Sequence, residues 1–247
     1  MNGGRVPGPT GLPGPPGCGG GTGQVLPAWR QLLAVVAHPD DETFGLGGII
    51  GRLTAAGSSV HILCYTHGEA STLNENLSEL FSQREDELRK ASTALGAATV
   101  TLLDYPDSNL ATQPPGELAA HVTSLAALHH LDGLLAFDDT GVTGHPDHRA
   151  ATAATVLAGT TASLPVLAWV LPAGVADQLR AETGHPFAGR PSGQVDFCIS
   201  VDRASQRRAA WLHASQISVS SVLWRRLELQ GDREHLRWLL PPSRAGA

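Results

Sequence analysis

Lysine is almost missing from this chain. Lys90 is the only one among 247 residues, so arginine carries nearly all the positive charge. Lysine and arginine together number 17 against 23 acidic residues, a formal net charge of -6. A basic surplus of the kind that favours nucleic acid or an anionic membrane is therefore absent. Cysteine is scarce as well. Cys18, Cys64 and Cys198 form an odd, scattered set, which gives neither a disulfide framework nor a C-x-x-C metal pair. Cys64 and Cys198 lie in apolar runs and read as core residues. No stretch approaches the roughly 18 apolar residues of a membrane span. The start lacks a basic region followed by an apolar one, so no signal peptide is expected. The expectation is a soluble, cytoplasmic protein with a small-molecule partner and no nucleic acid; a homo-oligomer is left open.

Residues 1–26 are mostly Gly and Pro. The collagen-like triplet does not persist, and such text cannot bury enough apolar surface to offset its ordering entropy. It is expected to be a disordered tail, followed by one domain over residues 27–240 and a frayed end at 241–247. From Gln31 short apolar runs alternate with amphipathic stretches. Strands are predicted at Leu32–Ala37, Val60–Tyr65, Thr99–Leu103, Gly133–Phe137 and Val166–Leu171. Helices are predicted at Gly45–Ala56, Leu77–Leu95, Glu117–Leu128 and His148–Ala158. That alternation implies an α/β fold, Rossmann-like, with a mostly parallel sheet and helices on both faces. Such a sheet binds ligands at the carboxyl ends of its strands, where strand order reverses. The C-terminal third is less regular: a strand over Gln194–Val201 and helices over Arg203–His213 and Ser221–Leu229. Specificity loops are expected at Glu69–Leu80 and Val170–Gln194.

Two clusters carry chemistry. Ala37-His38-Pro39-Asp40-Asp41-Glu42 closes the first predicted strand. His38 and Asp41 are three apart, a spacing that puts both on one side of a turn, and imidazole with carboxylate suits a divalent metal, zinc first. Asp40 must point elsewhere, and a carboxylate beside a metal can take a proton from water. A strand-to-helix turn with acidic capping residues would carry the same text. Gly144-His145-Pro146-Asp147-His148-Arg149 follows the fourth strand, again with histidines three apart and Pro at the first helical position. Solvated loop histidines are the plain alternative there. Both clusters close strands of one sheet, however, so they face one rim and together can supply three ligands with an open fourth position.

A-H-P-D-D-E followed about a hundred residues later by G-H-P-D-H resembles the PIG-L/LmbE-like deacetylases. Further matches are Thr66-His67-Gly68-Glu69, Arg84-Glu85-Asp86-Glu87 through Leu95-Gly96, Pro106-Asp107 and His213-Ala214-Ser215-Gln216, so the likeness runs from about Leu33 to Gln216. The resemblance implies His38, Asp41 and His148 as ligands of Zn2+ or another divalent metal, and Asp40 as general base. It implies that His145 stabilises the tetrahedral intermediate or protonates the leaving amine. Arg84 and Asp107 are implied as substrate-binding contacts to the sugar or its aglycone. Asp147 is expected to orient His145 or cap its helix, and His213 to support the site from its motif. Two residues before His145, the mycothiol-precursor deacetylase pattern carries tyrosine, whereas this chain has Thr143. The implied activity is metal-dependent removal of an N-acetyl group from an N-acetylglucosamine-type sugar. The alternatives are an amidase acting on a larger acyl group, of the mycothiol-conjugate type, and a non-catalytic binding protein of the same fold.

Overall fold

The structure is a computed structural model that describes residues 23, 25–70 and 77–243. Residues 1–22 and most of the sequence-predicted tail lie outside it. Of that tail, Gly23 forms a parallel bridge with Phe197 and Leu26 packs against the core.

Strand β1 (Gln31–Val36) leads through the short helix α1 (Asp41–Phe44) into α2 (Gly47–Ala55), and β2 (Ser59–Thr66) follows. Next come α3 (Leu77–Ala94), β3 (Thr99–Tyr105), α4 (Pro115–His129) and β4 (Gly133–Phe137). The short α5 (Gly141–Gly144) and the long α6 (Pro146–Ala162) lead to β5 (Val166–Pro172). The remaining elements are α7 (Ala173–Thr183), β6 (Gly189–Arg190), β7 (Phe197–Ser200), α8 (Arg203–Ala210), α9 (Val222–Gln230) and β8 (Arg233–Leu240). The sheet order is β3-β2-β1-β4-β5-β8-β7, with β6 pairing β5. β3 through β5 run parallel; β8 enters antiparallel to β5, and β7 antiparallel to β8.

β1 shows why its text is continuously apolar. Leu32, Ala34 and Val36 enter the core on one face of the sheet, against residues of α2, α3, α7 and α8. Leu33 and Val35 enter the core on the other, with residues of α4 and α6. A strand covered on both faces has no side on which a polar residue gains. Each buried Leu or Val contributes about 1.5–3 kcal/mol relative to exposure. α3 follows the helical rule instead: Leu80, Arg84, Leu88 and Ala91 are buried at steps of three and four. It stops at Gly96, whose φ of +82° only glycine adopts cheaply. Among the described residues no helix is long and apolar enough to cross a membrane.

The last third is more regular than its sequence suggests. α7 occupies part of the segment expected as a specificity loop, and β8 lies where no strand is predicted. The text of β8, Arg-Glu-His-Leu-Arg-Trp-Leu-Leu, opens on charged residues. Its Glu234 is nevertheless fully buried, because Trp169 Nε1 donates to it at 2.7 Å and Arg203 and Arg226 pair with it. Paired charges thus hide a core strand from a reading by hydropathy.

Candidate active site

Strand order reverses between β1 and β4, and both His-Pro-Asp segments emerge from the carboxyl ends of those two strands. The first segment turns tightly. Asp40 has φ 115°, and its N–H donates to Glu42 Oε2 at 3.0 Å. The second passes through Val142, whose φ of 64° is rare for a β-branched residue. Two non-glycine residues held there cost on the order of 1–3 kcal/mol each. Both flank the same cluster.

That cluster is His38, Asp41 and His148. His38 Nδ1 lies 3.2 Å from His148 Nε2 and 3.5 Å from Asp41 Oδ2, and His148 Nε2 lies 3.1 Å from Asp41 Oδ1. With one ligand atom from each residue, the three atoms lie within 4.8 Å of one another, a group that could hold one metal ion. His148 Nδ1 lies 3.1 Å from the Gly141 carbonyl, and an acceptor on the far nitrogen fixes that imidazole's tautomer and raises its basicity as a ligand. His38 Nε2 lies 3.1 Å from Asp107 Oδ1 and 3.4 Å from Asp147 Oδ2, close charge contacts without hydrogen-bond geometry. Asp41 Oδ2 accepts the N–H groups of Ala37 and His38 at 3.2 and 3.0 Å. Burial favours a protonated Asp41, but His148 and His38 outweigh it and hold its carboxyl well below the usual carboxylate range.

Asp40, next in sequence, belongs to a different environment. It faces the polar cavity, and its Oδ2 lies 3.3 Å from Arg84 Nη2. Burial pushes its carboxyl up to about 6, with Arg84 pulling the other way and Asp41 adding to the rise. His145 Nδ1 accepts the Asp147 N–H at 3.2 Å, so a neutral ring carries its proton on Nε2. Burial and the neighbouring His148 and His38 lower the His145 pKa and favour that neutral ring.

Three of the expected site residues also have partners in the protein. Arg84 borders the cavity and donates to the Gly68 carbonyl at 2.5 Å, to the Pro39 carbonyl and to Asp40. These bonds hold its guanidinium beside Asp40. Gly68, at φ +68°, leaves it room; a Cβ there would come within 2.4 Å of the guanidinium. Asp107 also borders the cavity. Beyond its contact with His38, it accepts the Ala70 N–H at 2.9 Å and the Ser108 N–H at 2.7 Å. The Asp147 carboxylate lies near both His38 and His145, its ligand atom within 4.8 Å of theirs. Its Oδ1 accepts the Leu110 N–H at 3.1 Å, and its Oδ2 approaches His38. Sequence spacing cannot show these partners, because each lies on a different strand end.

His213 sits where its motif suggests, behind the site. Its Nε2 lies 2.7 Å from Glu42 Oε1, and both side chains are fully buried. Two residues on, Ser215 donates to Glu87 of α3 through its N–H at 2.9 Å and its hydroxyl at 2.6 Å. Glu42 and Glu87 stand inside quoted motifs, yet nothing local marks them as anchors. His67 stays outside the cluster, stacked on Phe81 and 2.9 Å from Asp104.

The cluster opens on a cavity of about 260 Å³ bordered by Asp40, Arg84, Asp107, Ser108, His145 and Gln216. A model of the PIG-L family, described as GlcNAc-PI de-N-acetylase, matches residues 33–158. A probable N-acetylglucosaminyl-phosphatidylinositol de-N-acetylase of Schizosaccharomyces pombe is 33% identical over 133 residues, 51% of each chain. The chain thus spans about half the length of that relative. A 1D-myo-inositol 2-acetamido-2-deoxy-alpha-D-glucopyranoside deacetylase of Salinispora arenicola is 29% identical over 243 residues, 79% of each chain. The N,N'-diacetylchitobiose deacetylase of Pyrococcus horikoshii shares the fold, with a TM-score of 0.64 at 22% identity, covering 86% of this chain and 84% of that one.

Proposed function

The chain belongs to the PIG-L family, and from that premise we propose that it is a zinc-dependent hydrolase removing the N-acetyl group from an N-acetylglucosamine-type sugar conjugate. The observation that carries the reading is the division of labour between two adjacent carboxylates. Asp41 is locked against two imidazoles, while Asp40 is held apart from them at the wall of the polar cavity with its carboxyl near 6. Neither a plain helix cap nor a non-catalytic relative needs that separation.

His38, Asp41 and His148 would hold the ion, which when bound acts as a Lewis acid and brings the ionisation of water towards neutral pH. Asp40 takes a proton from the attacking water; a base titrating near the working pH suits the task. Arg84, fixed between the Pro39 and Gly68 carbonyls, holds the Asp40 carboxylate in place. His145 presents its Nε2 proton to the oxyanion as it forms, a contribution of about 3–4 kcal/mol for one good donor. A hydrophilic sugar fits the polar cavity, where the Ser108 and Gln216 side chains stand beside these groups. A cytoplasmic location is part of the proposal, and cell fractionation tests it.

Acetate release by the zinc-loaded protein, screened over N-acetylglucosaminides with varied aglycones, tests the activity. Release from at least one of them, abolished by a chelator and restored by zinc, is expected. Release from none would sink the reading.

A further inference from the structure

The polar cavity has an apolar neighbour. A second cavity of about 220 Å³ shares Asp40, Asp41 and His148 with it, and its other walls include Phe44, Phe137, Trp169, Phe187 and Val222. One cation borders it, Arg226, but its charge is engaged. Nη1 donates to Gln230 Oε1 at 2.5 Å and lies 3.3 Å from Glu234 Oε1, while Nη2 donates to the Phe44 carbonyl at 2.5 Å. The guanidinium also lies over the Trp169 ring, 5.0 Å from its centroid. The cavity therefore offers aromatic and aliphatic surface to a ligand, with the Thr143 hydroxyl as a small addition. Beyond the shared Asp40, Asp41 and His148, its walls offer a polyhydroxylated sugar few partners.

Two cavities of opposite character meeting at the catalytic carboxylates suit a substrate whose two halves differ in the same way. The scissile amide joins such halves, a sugar amine and an acyl group. An acetyl methyl fills roughly the 30 Å³ share of one water, a small part of the apolar space. We infer that the amide lies across the junction, sugar in the polar cavity and acyl group in the apolar one, and that linear acyl groups of about four to six carbons are accepted there as well as acetyl. The inference rests on the proposed hydrolysis. Water adds to the amide carbon, the C–N bond breaks, the amine takes a proton and the acyl group leaves as its carboxylate.

The test uses the full zinc-loaded chain with methyl glucosaminides carrying N-acetyl, N-butanoyl and N-hexanoyl groups, and follows amine release. Each further methylene buried is worth up to about fourfold in kcat/KM. Wild type should therefore lose nothing from acetyl to hexanoyl, and a tenfold loss at butanoyl would overturn the inference. Val222→Phe should cut the hexanoyl-to-acetyl ratio at least tenfold, and an unchanged ratio would contradict it. Phe187→Leu, which enlarges the space, should instead move the preference to longer chains if Val222→Phe does not fold. Calorimetric titration with hexanamide and acetamide reads the cavity without any turnover. If no glucosaminide is hydrolysed, the deacetylase reading fails, but hexanamide binding that Val222→Phe removes would still support the acyl cavity. Equal or absent binding of the two amides would overturn it.

Discussion

Asp107 illustrates how a residue's job depends on distant partners. The motif match implies a sugar contact, and Asp107 borders the cavity, but its Oδ1 also lies 3.1 Å from His38 Nε2 and its carboxylate accepts two backbone N–H groups. Carboxylates that orient a ligating imidazole typically contribute 10–100-fold to metal affinity or activity. Asp107→Asn is therefore expected to weaken zinc binding about tenfold or more in a competition titration with a chromogenic chelator. Unchanged affinity would show that Asp107 serves the substrate instead. The candidate metal trio was legible because its members lie in two short motifs that each close an apolar run. The approach of Asp107 and Asp147 to His38 was not, since it depends on which loop tips the sheet brings together.

At the scale of elements, the His-Ala-Ser-Gln segment ties α1 and α3 to the region after α8. His213 meets Glu42, and Ser215 meets Glu87. Removing one member of a buried pair leaves the other charge unpaired and costs about 3–5 kcal/mol, so His213→Ala should lower stability markedly in urea unfolding. Burial disfavours the imidazolium of His213, but Glu42 outweighs it and raises the pKa. A raised folded value means that the pair's contribution is full below the unfolded histidine value of about 6.5 and is lost as pH rises through the folded value. The stability gap between wild type and His213→Ala should thus be widest in mild acid and narrow on the alkaline side. A gap that does not change with pH would contradict a charged pair.

For the whole molecule, the parallel half of the sheet was legible and the antiparallel edge was not. β1 to β5 announce themselves as apolar runs because both faces are covered. β8 carries Arg233, Glu234, His235 and Arg237, and its place beside β5 depends on Glu234 meeting Arg203, Arg226 and Trp169 inside the protein. Those partners lie up to 65 residues away in sequence, beyond the reach of any local pattern. Glu234→Ala leaves two arginines without their buried carboxylate. The expected cost of about 3–5 kcal/mol corresponds to a fall in Tm of roughly 6–20 °C for a domain of this size. A shift of less than about 2 °C would mean that β8 is held by its backbone pairing alone.

The separation of Asp40 from Asp41 is tested most directly by metal content and turnover of Asp40→Asn and Asp41→Asn, measured side by side across a zinc titration. Asp40→Asn should keep about one zinc per chain and lose about 10²–10⁴-fold in rate, with no rescue by excess zinc. Asp41→Asn should bind zinc weakly and recover part of its rate as zinc is raised. Loss of metal in Asp40→Asn with retention in Asp41→Asn would reverse the two roles, and near-normal metal and turnover in both would contradict the site altogether.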